Sequence, residues 1–255
     1  RHGCLLGCEP NGPFGANLVM TAPADRAQRS RVDFTINPSM SPEARYAFEA
    51  FYQVPYCPVG PPIHQASLRG HLDRSMEEGA CDLPEDIEDR FVVGHQFNEV
   101  NWQTVLLAEQ YGIPLVANFA DEDALRVHGG IHMEIKKAGG YKHVVWVEDL
   151  THEQWLYQLQ RSKGIFYCTQ YPSGGRPQVW AALAGKPSFS TPSGWQYNLY
   201  RETTHPYGFE AACYMPERLR TAERLQPRVT KRLERFSPEA TVERMQAFLR
   251  AQGWA

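Results

Sequence analysis

The stretch YPSGGRPQVWAALAGKPSFSTPSGW, residues 171 to 195, decides how the rest of the sequence is interpreted. A hydrophobic run, IFYCTQY (165 to 171), leads into Pro-Ser-Gly-Gly-Arg, and a small-residue helix pattern then ends in Gly-Lys-Pro before a second run. This order is typical of a strand, a loop, a helix and a further strand. The loop either only turns the chain into the helix or also binds the phosphates of a nucleotide.

The same alternation extends upstream of this stretch. Strands are predicted at 90 to 94, 113 to 119, 142 to 149 and 165 to 171, with helices at 101 to 112, at 121 to 140 and after Thr151. Thr151 and Gln154 form a capping-box pattern at the start of that last helix. Strands and helices that alternate at this spacing predict right-handed βαβ units, so the fold class is α/β with Rossmann-like parallel sheets.

The order helix, glycine, proline and strand occurs twice, at AEQYGIPLV (108 to 116) and ALAGKPSFS (182 to 190). A helical tail closes the chain, and in its last helix Ser237 is the predicted N-cap, Pro238 the first residue and Gly253 the stop. Near the other end, helices are predicted at 42 to 53 and 64 to 78. The proline-rich PYCPVGPPIH between them is interpreted as a stiff connection.

The composition describes an ordinary globular protein. The chain has 255 residues, 42% of them hydrophobic and 22% charged, and its net charge of −3 provides no strong signature of nucleic-acid binding. No uncharged apolar run approaches the roughly 20 residues that span a bilayer, and the first residues lack the pattern of a signal peptide. We therefore expect a cytoplasmic protein without a membrane span.

The cysteines predict neither a disulfide framework nor a metal site. Their spacing is irregular, and none forms a C-x-x-C pair; they are Cys4, Cys8, Cys57, Cys81, Cys168 and Cys213. A chain of this size does not need disulfides to fold, so we expect reduced thiols and no bound metal.

The loop that follows the strand at 165 to 171 is the predicted phosphate site. Gly174 and Gly175 let backbone N–H groups approach a ligand closely, while Ser173 and Arg176 add side-chain donors. Ligands of parallel sheets bind at the carboxyl ends of the strands, which is where this strand delivers the loop. A turn that serves only chain geometry would contain the same residue types.

A second loop, TPSGW (191 to 195), leaves the next strand at the same edge. Ser193 and Gly194 in this loop are therefore predicted to contact the same ligand as the first loop.

The segment from His143 to Gly194 resembles the nucleotide-sugar-binding lobe of GT-B-fold glycosyltransferases. In that lobe a strand and helix are followed by a strand, a Pro-Ser loop, a small-residue helix ending in Gly-x-Pro, and another strand. Here WVEDLTHEQWLYQLQRS, YPS, WAALAGKPSFST and PSG occur in that order. Residues 89 to 123 resemble a strand, helix and strand of the acceptor lobe, and the tail resembles the closing helices of the nucleotide-sugar lobe.

The resemblance implies a compact two-lobe GT-B architecture with a helical C-terminal tail. Residues 1 to 84, whose structure the sequence does not specify, would belong to the acceptor lobe. Residues 85 to 140 form a Rossmann-like βαβ segment, and residues 141 to 255 form the nucleotide-binding lobe. The sequence departs from the retaining family at two catalytic glutamates, whose places are taken by Pro172 and Trp180.

The function that the resemblance implies is glycosyl transfer from a nucleotide sugar to an unknown acceptor, with the nucleotide sugar as donor substrate and no cofactor. His95 and Asp121 follow strands and are the candidate bases for the acceptor hydroxyl. His95 has the alternative role of a hydrogen-bonded loop residue, and Asp121 that of a helix cap. Two other functions stay open: a nucleoside-processing enzyme similar to deoxyribosyltransferases, and a nucleotide-binding protein without catalytic activity.

Overall fold

The computed structural model of the chain describes residues 7–8, 33–36, 45–46, 49–50, 53–58, 62–93, 99–119, 140–148, 150–167, 177–190, 198–199, 220–221, 224, 228–229 and 231–254. The strands are β1 Gly7–Cys8, β2 Phe34–Ile36, β3 Tyr56–Cys57, β4 Phe91–Val92, β5 Leu115–Phe119, β6 Val144–Glu148, β7 Gly164–Tyr167 and β8 Ser188–Ser190. The helices are α1 Gln65–Glu78, α2 Glu99–Tyr111, α3 His152–Arg161, α4 Pro177–Leu183 and α5 Pro238–Ala251, with 3₁₀ turns at Ile87–Asp89 and Glu234–Phe236.

The larger sheet has five parallel strands in the order β6-β5-β4-β7-β8. From β4 the chain adds β5 and then β6 on one side. It returns after β6 to place β7 on the other side of β4, and β8 follows beyond β7. The predicted α/β class with a parallel Rossmann-like sheet is therefore confirmed.

The structure contradicts one feature of the resemblance, the placement of residues 89 to 123 and 143 to 194 in two different lobes. The stretch 89 to 123 was expected in the acceptor lobe, but its strands β4 and β5 pair directly with β7 and β6 of the segment assigned to the nucleotide-sugar lobe. A strand-helix-strand unit has the same local pattern wherever it lies in such folds, so the sequence pattern could not distinguish the two positions. How the whole chain divides at 84 and 140 stays a prediction.

Successive side chains of each strand point to opposite faces of this sheet, and both faces are buried. Val92, Val116 and Ile165 point to the face covered by α1, α3 and α4. Phe91, Leu115 and Phe166 belong to the cluster on the opposite face, which α2 covers. The apolar strands and the helix faces between them therefore build a three-layer core.

The smaller sheet has three parallel strands in the order β1-β2-β3. Phe34 and Cys57 on this sheet pack against Phe248, Leu249 and Trp254 in and after α5. The proline-rich stretch interpreted as a connection thus contains a strand, β3. Pro55 and Pro58 lie just outside its two residues, where a missing N–H interrupts no ladder bond within the strand.

Three helices end in the same glycine motif. Gly112, Gly185 and Gly253 have φ values of 63°, 70° and 72°, in the left-handed region that favours glycine. In each case the next residue donates its N–H to the carbonyl five residues earlier, at 2.8 to 2.9 Å: Ile113 to Ala108, Lys186 to Ala181 and Trp254 to Leu249. This is the Schellman arrangement, and it explains the repeated order of helix, glycine, proline and strand.

The Gly-Lys-Pro turn is therefore part of the amino edge of the sheet. Lys186 donates from Nζ to the Ser162 carbonyl at 2.7 Å, at the end of α3. Burial lowers the pKa of Lys186. At Gly164, the first residue of β7, a Cβ would lie 2.4 Å from the Pro187 carbonyl oxygen. The backbone at the start of β7 therefore packs directly against the Gly-Lys-Pro turn.

Within the part of the chain that the structure describes, no helix combines the length and the apolar character that crossing a bilayer requires.

Candidate functional site

The strand order locates the candidate site at the carboxyl edge of the larger sheet. After β4 the chain adds β5 and β6 on one side of the sheet, and after β7 it adds β8 on the other side. The strands β4 and β7 are neighbours, with Phe91 opposite Gly164 and Val92 opposite Ile165. In open parallel sheets a ligand crevice forms outside the strand ends at such a reversal. By this rule, the candidate crevice of this chain is the region at the carboxyl ends of β4 and β7.

Every site residue predicted from the sequence lies outside the described residues: His95, Asp121, Ser173, Gly174, Gly175, Arg176, Ser193 and Gly194. Their positions along the chain relative to the strands are nonetheless defined. His95 follows β4, and Ser173 to Arg176 fall between β7 and α4, so both follow strands that border the reversal. Asp121 follows β5, while Ser193 and Gly194 follow β8. Their roles stay predictions.

The first turn of α3 is a well-defined part of this edge. Thr151 Oγ1 accepts a hydrogen bond from the Gln154 N–H at 3.2 Å, and Gln154 Oε1 accepts one from the Thr151 N–H at 2.8 Å. The predicted capping box is therefore confirmed. The capping box fixes the start of α3 and, with it, the places of His152 and Trp155 in the first turn.

Three rings connect the elements around the crevice. Trp155 donates from Nε1 to the carbonyl of Val93, directly after β4, at 2.9 Å. His152 stacks on Trp155 with ring centroids 6.3 Å apart and planes at 19°. Its other ring neighbour is Trp180 of α4, which it meets at 63° with centroids 5.6 Å apart. We call His152, Trp155 and Trp180 the aromatic bridge.

Sequence reasoning missed His152 and Trp155. Trp155 lies on the apolar face of an amphipathic helix, where its pattern is that of any core residue. Only the long-range hydrogen bond to the Val93 carbonyl shows that Trp155 also joins α3 to the end of β4. The capping-box motif was the one available signal, because it fixes which residues occupy the first turn of α3.

The resemblance places Trp180 at the position of one glutamate of the retaining family. Its side chain is 7% exposed and belongs to the core of the larger sheet. The ring of His71 on α1 also meets it edge-on, with centroids 6.2 Å apart. The indole is thus a packed residue, and it brings no carboxylate to the site.

Among the described residues, no group of three or more His, Cys, Asp or Glu side chains has the geometry of a metal site. Two cysteines there, Cys57 and Cys81, are thiols that take part in no disulfide. Burial and the nearby Asp82 carboxylate raise the pKa of Cys81, which favours its neutral thiol form. The absence of a bound metal stays a prediction for the whole chain.

The fold of the chain is shared with solved structures of GT-B glycosyltransferases. The UDP-forming α,α-trehalose-phosphate synthase from Burkholderia xenovorans superimposes with a TM-score of 0.67 over 96% of this chain and 68% of that chain, at 9% identity. Sucrose-phosphate synthase from Thermosynechococcus elongatus has a TM-score of 0.61 over 97% and 67%, at 17% identity. The chain has the GT-B fold.

A third structure of the GT-B fold was solved with a nucleotide sugar. Anabaena HepE in complex with UDP-glucose has a TM-score of 0.58 over 98% of this chain and 72% of that chain, at 14% identity. The chain spans about two thirds of the length of the two synthases. No family model and no curated protein sequence matches it. At these identities the similarity establishes the fold.

Proposed function

We propose that the chain is a glycosyltransferase that binds a nucleotide sugar at the carboxyl edge of the larger sheet and transfers its sugar to an acceptor. The observation that carries the proposal is the reversal of strand order between β4 and β7. The segments that follow these two strands contain the predicted base His95 and the predicted phosphate loop.

The predicted loop has the chemistry that a diphosphate needs. Gly174 and Gly175 free backbone N–H groups for close approach, and the Arg176 guanidinium supplies a charged fork of donors. Ser173 and, from the second loop, Ser193 and Gly194 complete the proposed cradle. Stabilisation of the leaving diphosphate by such donors is a term that lowers the barrier to transfer.

The transfer step conserves atoms and charge as follows. The acceptor hydroxyl oxygen attacks the anomeric carbon, the bond from that carbon to the diphosphate oxygen breaks, and the nucleoside diphosphate leaves with the bonding electrons. The hydroxyl proton passes to a base, for which His95 and Asp121 are the candidates. In the absence of the retaining family's glutamates, an inverting reaction with one base is the simplest scheme for this chain.

Two solved structures of the GT-B fold supply the first probes. HepE was crystallised with UDP-glucose and also with UDP. Titration calorimetry of this chain with UDP and UDP-glucose, and with ADP, GDP and uridine for comparison, tests nucleotide binding directly. A hydrolysis assay, in which chromatography measures the UDP and glucose released from UDP-glucose, tests whether the chain activates the donor.

The titration and the product analysis by chromatography together separate the proposal from its alternatives. Binding of a nucleoside diphosphate and slow hydrolysis of its sugar ester support a glycosyltransferase. Release of a free base from a nucleoside supports the deoxyribosyltransferase-like alternative and contradicts the proposal. Failure to bind any of these compounds also contradicts it.

A second candidate function is nucleotide binding without catalysis. The buried indole of Trp180, which stands where the retaining family has a glutamate, favours it. Tight binding of UDP-glucose without turnover, across a panel of sugar and alcohol acceptors, would identify this function.

A further inference from the structure

We propose that Trp155 is a positioning residue for the nucleotide site, and that it holds the two sides of the crevice in register without touching the nucleotide. This inference rests on the proposed function, because it assigns a ligand to the reversal between β4 and β7. It concerns the aromatic bridge, whose three side chains all belong to the described part of the chain.

The first step is the bond between helix and strand. Trp155 is 1% exposed and Val93 0% exposed, so water does not compete for the 2.9 Å bond between Nε1 and the Val93 carbonyl. The N–H of Val93 is bonded to the Val116 carbonyl at 3.2 Å. The strand end is thus held by β5 on one side and by α3 through Trp155, and a buried carbonyl that lost this donor would be left unsatisfied.

The second step is the link to the other side of the crevice. His152 packs between Trp155 and Trp180, and Trp180 is the middle residue of α4. The bridge therefore connects the end of β4 with the helix that follows β7. Since the reversal lies between these two strands, a shift of either end would change the spacing of any groups that follow them.

The inference depends on the indole N–H more than on the volume of the ring. Trp155→Phe keeps an aromatic ring in the core and removes the donor to Val93. His152→Phe keeps a ring between the two indoles, whereas His152→Ala removes it. Trp146→Phe is the matched control, because Trp146 lies on the edge strand β6, two strands away from β4.

The experiment measures UDP affinity by calorimetry and backbone amide hydrogen exchange by mass spectrometry for the parent and these four variants. Trp155→Phe and His152→Ala are expected to weaken UDP binding about 2- to 30-fold, as for residues that couple without touching a ligand. His152→Phe and Trp146→Phe are expected to bind like the parent. Without ligand, Trp155→Phe is expected to speed exchange in the peptide that contains Val92 and Val93.

Two results would overturn the inference. Parent-like UDP affinity in Trp155→Phe would show that the bridge does not position the site, and unchanged exchange at Val92 and Val93 would show that the bond does not hold the strand end. If the parent itself binds neither UDP nor UDP-glucose, the proposed function fails and a role of Trp155 in nucleotide binding fails with it. The exchange measurement still decides whether Trp155 anchors β4.

Discussion

Replacing Glu109 with alanine should loosen the β6 edge of the larger sheet. The Glu109 carboxylate, near the end of α2, accepts three backbone hydrogen bonds from the start of β6. The donors are the N–H groups of Lys142 at 3.1 Å, His143 at 2.8 Å and Val144 at 2.9 Å. One side chain therefore joins a covering helix to an edge strand.

The exposure of the three donors sets the size of the effect. A hydrogen bond to a charged group contributes about 1.5 to 3 kcal/mol. Lys142 is exposed, so water can replace the carboxylate at its N–H, whereas Val144 is 6% exposed and its N–H is harder to hydrate. We therefore expect Glu109→Ala to lower the unfolding free energy by about 2 to 4 kcal/mol, well below the sum of three such bonds. For a chain of this size the loss corresponds to a fall of about 4 to 16 °C in Tm.

Differential scanning calorimetry of three variants tests this reasoning. Glu109→Gln keeps an acceptor oxygen but loses the charge, so about half of the alanine effect is expected. Glu77→Ala is the control, because Glu77 is an exposed residue of α1 and should change the stability by no more than about 0.5 kcal/mol. If Glu109→Ala had the same Tm as Glu77→Ala, the hydrogen bonds to Glu109 would not stabilise the contact between α2 and β6, which would refute this prediction.

Three further predictions concern the site and the packing of α1. Arg176→Ala should weaken UDP binding roughly 10- to 150-fold in calorimetry with little change in Tm, and parent-like affinity would make Arg176 a surface residue. Gly79→Ala should lower Tm, because a Cβ there would lie 2.4 Å from the Glu153 carbonyl oxygen and 2.5 Å from that of Ser75. Gly70→Ala, where a Cβ meets nothing within 4 Å, should instead leave Tm unchanged or raise it. Any transferase activity should survive EDTA; loss of activity that manganese restores would contradict this expectation.

The local structure of the chain was predictable because its signals act over a few residues. The side chain of Thr151 caps α3, and that of Ser237 caps α5 by accepting from the Ala240 N–H at 3.2 Å. Pro238 and Gly253 lie at the two ends of α5, as predicted. Each of these signals depends on the backbone groups that a helix end leaves unpaired, which are the same in any fold.

The order of the strands was not predictable from those signals. The pairing of β4 with β7 joins Val92 to Ile165, more than seventy positions apart in the sequence, and no local pattern specifies it. The same limit applies to the bond between Trp155 and Val93. The features that define the crevice are therefore long-range contacts, whereas the predicted ligand groups are local motifs.

Two of the three glycine-bearing segments in the stretch from 171 to 195 lie at opposite ends of α4. The later one, with Gly185 and Lys186, ends the helix at the amino edge of the sheet, where Lys186 bonds to the Ser162 carbonyl. Gly185 is explained by its positive φ, and Lys186 by its bond to a carbonyl at the end of α3. Neither residue therefore implies a ligand. The earlier one, Pro-Ser-Gly-Gly-Arg, comes after β7 and before Pro177, on the side of the strand reversal. Since ligands of open parallel sheets bind on that side, any nucleotide role of this stretch belongs to the segments that follow β7 and β8, and not to the Gly-Lys-Pro turn.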